Sequence, residues 1–129
     1  MGSIGSDFII DPRLAHHIDY DHVLKDDQTL TAGAYITNDA HNNQMIVFHP
    51  GAMSNGLHTI PDKKFDYAMI TPNDKAIMIS HVHATKASGT TVFFDPGQAL
   101  VLFDKNDLSD LFGRIDYLIC NDEEAASIA

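Results

Sequence analysis

The 129-residue chain is one domain's worth of polypeptide, enough to bury a core but not to build two full domains. An apolar fraction of 44% argues against disorder. A net charge of −10 argues against a general nucleic-acid or anionic-membrane binder, which needs a basic surface, but leaves room for a nucleotide held by local donors and a metal.

The opening Met1-Gly2-Ser3-Ile4-Gly5-Ser6 satisfies the short, loosely specified myristoylation pattern. It lacks the charged and apolar regions of a signal peptide, and no apolar run reaches membrane-spanning length, so cytoplasm is the expected location. Asp11-Pro12 has the form of a helix start and predicts a short helix with Leu14, His17 and Ile18 on one face, ending before Tyr20. Val23-Leu24 predicts a short strand, and Asp26-Asp27-Gln28 a polar turn.

The next stretch, Thr31–Met53 (TAGAYITNDAHNNQMIVFHPGAM), has the strongest local pattern in the chain. Leu30, Ala32, Ala34 and Ile36 alternate with Thr31, Gly33, Tyr35 and Thr37, the period of a half-buried strand. The polar turn 38–43 leads into a second strand, Gln44–His49, with Ile46 and Phe48 on one face and Met45 and Val47 on the other. The pair predicts a β-hairpin with a loop longer than two residues. Pro50-Gly51 ends it, because proline has no N–H for a ladder and glycine permits the turn.

Beyond a loop at Ser54–Lys64, strand and helix alternate. Phe65–Ile70 predicts a strand, closed by Thr71-Pro72-Asn73-Asp74. Lys75–Ala87 predicts a helix with Ala76, Ile79, Val82 or His83, and Ala87 on its apolar face, stopped by Ser88-Gly89. Thr90–Phe94 is a second strand, broken by Asp95-Pro96-Gly97. Asp104 and Asp107 predict a capping box for a second helix, with Leu108, Leu111, Phe112 and Ile115 at helical spacing. Tyr117–Cys120 is a third strand, and Asn121-Asp122-Glu123-Glu124 opens a third helix with acids where its dipole favours them. Cys120, the one cysteine, reads as a small buried hydrophobe rather than a reactive thiol. Three strand–helix repeats predict an α/β protein with a parallel sheet. Residues 1–30 and 54–129 would form a partial α/β core and residues 31–53 a projecting hairpin. Ending at Ala129, with little of a third helix, the chain is expected to be incomplete.

In an open parallel sheet, ligands bind at the carboxyl ends of the strands. Asn73, Asp74, Asp95, Asn121 and Glu124 fall on that edge. Their hard oxygens suit Mg²⁺, and helix N-termini suit phosphate, but Asp and Asn are the usual N-cap residues, and capping is the favoured account of each over a ligand role. Eight histidines include the pairs His16-His17 and His81/His83, neither with zinc-like spacing to a third ligand. His49 stands out because Phe48-His49-Pro50-Gly51 lies at the base of the hairpin, where it can face a crevice.

Taken together, these pieces resemble the PfkB-type, ribokinase-like carbohydrate and nucleoside kinases, most closely the adenosine-kinase-like bacterial and archaeal members. Thr31–Met53 is similar to that family's lid, with N-N-Q followed by F-H-P-G-A-M. Phe93–Gln98 is similar to its F-D-P-G-Q turn, and Asn121–Glu124 to its N-x-x-E motif. Ile4–Phe8 is similar to V-G-x-D-x, and Ile18–Val23 to I-D-T-S-x-V. The likeness runs over nearly the whole chain, and Gly5 then reads as a turn glycine rather than part of a lipidation signal.

The resemblance implies a partial ribokinase-like fold with half a lid, and ATP-dependent transfer of phosphate to a hydroxyl of an adenosine-like nucleoside or a sugar. It implies Mg²⁺ and ATP as cofactors, with Asn121, Glu124 and Asp95 near the metal and phosphates and Glu124 reaching the metal through water. It also implies that Gln44, Phe48, His49 and Met53 of the lid lie near the acceptor, and that the chain self-associates through the hairpin. Family members are longer, with an upstream Gly-Gly substrate motif and a downstream D-T-x-G-A-G-D motif supplying the catalytic base; neither occurs here. The polypeptide is therefore expected to be inactive alone. Alternatives are a non-catalytic binding or dimerisation module, and a gene remnant or truncated form with open apolar sheet faces.

Overall fold

The computed structural model describes residues 2–13, 16–41, 43–54 and 60–129. These fall into two compact units, Met1–His58 and Thr59–Ala129. Leu14 of the expected first helix and Asn42 of the hairpin turn lie outside the described residues.

The first unit holds two small sheets. In one, β1 (Gly2–Gly5) runs parallel to β2 (Val23–Asp26), with Ser3 opposite Leu24 and Ile4 opposite Lys25. Propensity gives no hint of β1, since two of its four residues are glycine; pairing with β2 overrides it. The helix expected after Asp11-Pro12 is absent from the described residues, which form turns on either side of 14–15. Asp11 accepts from the Arg13 backbone N–H (2.9 Å) and Nε (3.0 Å), a tight Asp turn that competes with helical capping.

The other sheet is the hairpin, β3 (Gly33–Asn38) antiparallel to β4 (Gln44–His49), from Gly33 opposite His49 to Asn38 opposite Gln44. Its loop is organised by one side chain. Asp39 accepts from the backbone N–H of His41 (2.7 Å) and Asn43 (2.9 Å) and from Asn43 Nδ2 (2.7 Å). These three donors hold the Asp39 carboxyl below the usual carboxylate range, the Asn43 side chain first among them. A 3-10 turn at Gly51–Ser54 follows, with Ala52 fully buried.

The second unit is a three-stranded parallel sheet in the order β5 (Tyr67–Ile70), β6 (Thr91–Phe94), β7 (Tyr117–Leu118). Helices α1 (Lys75–Ala87), α2 (Lys105–Phe112) and α3 (Asp122–Ile128) separate or follow the strands. Alternation along the strands divides the sheet's faces. Ile70, Val92 and Phe94 join Met78 and Val82 of α1, Leu111 of α2, and Ala99 and Phe103 in one core. Phe94 and Phe103 meet edge to face, with centroids 6.0 Å apart. The other face carries Tyr67, Met69, Phe93 and Tyr117, with Phe93 stacked on Tyr117 at 4.6 Å and Tyr67 tilted against Phe93 at 6.3 Å.

Helix α1 has the predicted bounds but a different buried face: Ile77, Met78, His81, Val82 and Thr85 are buried, whereas Ala76 and Ala87 are exposed. Apolar or small residues occupy four consecutive positions, 76–79, so spacing alone leaves the face undetermined and packing selects it. Helix α2 has its predicted capping box, Asp104 accepting from Asp107 N–H and Asp107 from Asp104 N–H, both at 3.0 Å. It ends at Phe112 rather than running through Ile115, which packs against the core from the following turn. The two helices are tied by Lys75 to Asp107 and by His83 Nε2 to Asp110 Oδ2 at 2.5 Å. No described helix is long and apolar enough to cross a membrane.

Candidate functional site

The carboxyl ends of β5, β6 and β7 lead into Pro72, Asp95 and Ile119, respectively, and these residues share the wall of one cleft. The cleft has a volume of about 470 Å³ and is lined also by Gly97, Gln98, Cys120, Asn121 and Glu124. Three of the residues singled out from the sequence, Asp95, Asn121 and Glu124, are thus brought together.

Two features set the shape of this edge. Asp95 N–H donates to Ile70 O at 2.8 Å, extending the β5–β6 pairing by one residue and fixing where the Asp95 side chain begins. Two residues on, Gly97 turns the chain at φ +45°, opening a 3-10 turn at Gly97–Leu102. A Cβ on Gly97 would stand 2.6 Å from Pro72 Cγ, so the glycine lets the two loops close on each other.

Asn121 and Glu124 form a reciprocal capping box for α3. Asn121 Oδ1 accepts from Glu124 N–H at 2.8 Å, and Glu124 Oε2 accepts from Asn121 N–H at 3.0 Å. Capping does not exhaust either side chain. Asn121 keeps its Nδ2 donors and Glu124 its Oε1, while the Asp95 carboxylate makes no hydrogen bond or ion pair among the described residues. The cap orients what remains of the pair, on a half-buried Glu124 beside an exposed Asn121.

The donor set is made of hard oxygens but does not form a closed metal cage. Among the described residues, no group of three or more His, Cys, Asp or Glu could hold an ion alone. Two carboxylates fit a Mg²⁺ that keeps several waters and takes further ligands from phosphate oxygens, and the Asn121 Nδ2 donors suit a phosphate oxygen. The first turn of α3 carries Asp122, Glu123 and Glu124, so a bare phosphate would meet like charge there, and a divalent cation between them resolves the conflict.

Asn73 and Asp74 are not in this lining. Asp74 caps α1, accepting from Ala76 N–H at 2.9 Å and Ile77 N–H at 3.4 Å. Asn73 turns back to accept from Asp74 N–H at 2.8 Å. Cys120, expected as a buried filler, is instead half-buried on the cleft wall. Gly97 and Gln98, which the sequence marks only as part of a turn, also line the cleft; a break of Asp-Pro-Gly just after a parallel strand is the signal that places them on this edge.

The hairpin residues singled out are arranged differently. Gln44, Phe48 and His49 are exposed on β4, and Met53 is half-buried in the turn that follows. Gln44 and Phe48 share one face of the two-stranded sheet, while His49, next in sequence, belongs to the other. Of the histidines, His81 is buried in α1 and His83 half-buried, whereas His16, His17, His22, His41 and His49 are exposed.

Comparison with known proteins adds to this geometry. Residues 1–129 match the pfkB family of carbohydrate kinases. Among solved structures, a Burkholderia thailandensis nucleoside kinase in complex with inosine is 32% identical, with a TM-score of 0.82, over 99% of this chain and 44% of that one. A Methanocaldococcus jannaschii nucleoside kinase of the ribokinase family, 23% identical, superposes with a TM-score of 0.87 over 98% of this chain and 44% of its own. A Cryptococcus neoformans var. grubii ribokinase in complex with ADP, 18% identical, reaches 0.77 over 98% and 42%. The last two likenesses establish the fold alone. The chain spans less than half the length of each of these proteins.

Proposed function

The chain belongs to the pfkB family of carbohydrate kinases, and from that premise we propose that it carries the metal- and phosphate-facing edge, and part of the lid, of an ATP-dependent phosphotransferase. The convergence of Asp95, Asn121 and Glu124 on one cleft at the carboxyl edge of a parallel sheet carries this reading. The acceptor is a hydroxyl of a nucleoside in preference to a sugar. Support for that choice comes from the 32% identity to a kinase solved with inosine.

Phosphoryl transfer needs positioning and charge neutralisation more than covalent help from the protein. When bound, Mg²⁺ would supply the neutralising charge on the transferring group. Glu124 would hold the ion through water with Oε1 while Oε2 stays on the cap. Asp95 would add the second carboxylate, and Asn121 Nδ2 a donor for a phosphate oxygen. The hairpin would exclude water from the acceptor, with Gln44 and Phe48 on one face, His49 on the other, and Met53 beyond its end. The catalytic base is not assigned to any residue here, because the D-T-x-G-A-G-D segment that the resemblance makes its source does not occur in residues 1–129.

Separating capping from ligation tests the proposal. Glu124→Gln keeps an oxygen for Asn121 N–H and removes the charge. Its expected result is an unchanged unfolding temperature with Mg²⁺-dependent ADP binding weakened about tenfold or more by calorimetry. Asn121→Ala opens the cap and is expected to lower stability by about 1 kcal/mol. ADP binding that is indifferent to Mg²⁺ and to Glu124→Gln sinks the assignment. With Mg²⁺-ATP and inosine, turnover by this polypeptide above that of an Asn121→Ala, Glu124→Ala double variant would refute its expected inactivity.

A second reading, self-association through the hairpin, is favoured by one observation. Every residue of β4 and all but Gly33 of β3 are exposed, and among the described residues no third strand pairs with either edge of the sheet. Sedimentation is expected to give a dimer that Phe48→Glu disperses; a monomer at every concentration rejects it.

A further inference from the structure

Just before the hairpin, the backbone of residues 29–31 passes between two glycines. A Cβ on Gly5 would lie 2.2 Å from both Leu30 C and Thr31 N, and one on Gly51 would lie 2.2 Å from Leu30 O. Neither contact leaves room for a side chain, and both are with backbone that cannot swing aside. Gly51 is in addition held at φ +47°.

Hydrogen bonds lock this crossing. Ser6 N–H and Ser6 Oγ both donate to Thr29 O, at 2.9 and 3.1 Å. Ala52 N–H donates to Leu30 O at 2.8 Å. Thr31 Oγ1 accepts from Gly5 N–H at 2.9 Å and donates to Asp7 Oδ1 at 2.8 Å. Thr31 N–H also donates to Asp7 Oδ1, at 2.7 Å. The chain entering β3 is therefore fastened to Gly5, Ser6 and Asp7, and the chain leaving β4 to Leu30 of that entering segment. Among the described residues, β3 and β4 form a sheet with each other alone.

Among the described residues of the first unit, the hydrogen bonds that join this sheet to the rest of the unit lie at its root. At that root, glycine contacts fix distance, while two side-chain pairs add direction: Thr29 Oγ1 donates to Asp26 Oδ2 at 2.8 Å, and Asp7 holds Thr31, two residues from the first residue of β3. We propose that Asp7, acting through Thr31, is a positioning residue that helps to set the direction in which the hairpin leaves the rest of the first unit. The proposal rests on reading the hairpin as a lid, since a lid that excludes water must approach its ligand along one path. Asp7 touches no reacting atom in this scheme. Its carboxylate acts on the hairpin by holding an amide and a hydroxyl of one residue.

The test uses spin labels at Ala40→Cys, in the hairpin loop, and Lys25→Cys, on β2, in a Cys120→Ser background, so that both labels report within the first unit. Thr31→Val removes the hydroxyl at nearly constant shape, Asp7→Asn removes the charge, and Thr31→Ser restores the hydroxyl. Expected is a narrow distance distribution for the parent and Thr31→Ser, at least twofold broader for Thr31→Val and Asp7→Asn. Amide protection at Tyr35 and Val47, inside the hairpin ladder, is expected to stay within about twofold in all of them. Unchanged distributions overturn the proposal. So does loss of ladder protection together with broadening, because the pair would then be holding the hairpin together rather than aiming it. Inosine binding is read in parallel on the parent chain and Phe48→Ala. Equal affinity in the two rejects the lid reading and leaves the label distances to decide the role of Asp7.

Discussion

Gly97 and Gly89 both adopt left-handed backbone, at φ +45° and +76°, yet their surroundings differ. A Cβ at Gly89 would meet nothing within 4 Å, while one at Gly97 would strike the Pro72 ring. Gly89→Ala should therefore cost only the conformational strain, about 1–2 kcal/mol. Gly97→Ala should add overpacking of about 1–3 kcal/mol and shift the loops that wall the cleft. Urea unfolding of both variants checks this, and equal losses would mean that the Pro72 contact relaxes freely. Asp116 offers a test by pH. Lys86 Nζ at 2.6 Å, and then Val92 N–H at 2.8 Å, hold its carboxyl below the usual range. A carboxylate depressed in the folded state contributes stability above its unfolded pKa and loses it as pH falls through the folded one. The gap in unfolding temperature between the parent and Asp116→Asn is thus expected to be widest near neutrality and to close in acid. A gap that is constant with pH would rule out the ionic contribution.

At the scale of elements, what could be read in advance follows from how local the determining physics is. The bounds of β4 and α1 come out as the sequence predicts, since Pro50 and the Ser88-Gly89 stop act on the backbone of their own neighbours. The capping box of α2 was legible for the same reason, being closed by residues three apart, whereas at α3 only the helix start was read, although Asn121 and Glu124 close the same kind of box. Strand β1 was not legible: Gly2–Gly5 is a strand only because Val23–Asp26 lies beside it, a pairing between residues 21 positions apart that leaves no periodic trace in four residues. The buried face of α1 was read only in part, Val82 and Ile79 rightly and Ala76 and Ala87 not, because Ala76 through Ile79 offer an apolar or small residue in four successive directions. Within the cleft, Asp95, Asn121 and Glu124 were found because strand ends collect on one edge of a parallel sheet. Asn73 and Asp74 satisfy the same rule and are consumed by the N-terminus of α1. Residues that cap and residues that ligate have the same chemistry, and only the oxygens left over distinguish them.

Across the whole chain, stability is unevenly distributed. The second unit has a core built around Phe94, Met78, Leu111, Val82 and Val92, whereas Gly5 and Ala52 are the buried residues among those described in the first. Apolar burial is the main favourable term in folding, so the first unit should open at lower free energy. Amides of β3 and β4 are expected to exchange more than about tenfold faster than those of β6 and α1. Uniform protection would show that the two units unfold as one. The open face of the second unit's sheet has a consequence of a different kind. The chain contains no tryptophan and four tyrosines, two of which, Tyr67 and Tyr117, stand on that face on either side of Phe93. Near-ultraviolet emission from this protein is therefore dominated by phenols, and half of them sit on one aromatic row in contact with water. Whatever comes to lie against the row, a helix of another polypeptide or a second copy, must change that emission. The molecule has a built-in optical gauge of its own coverage, readable in titrations without a label or a substitution.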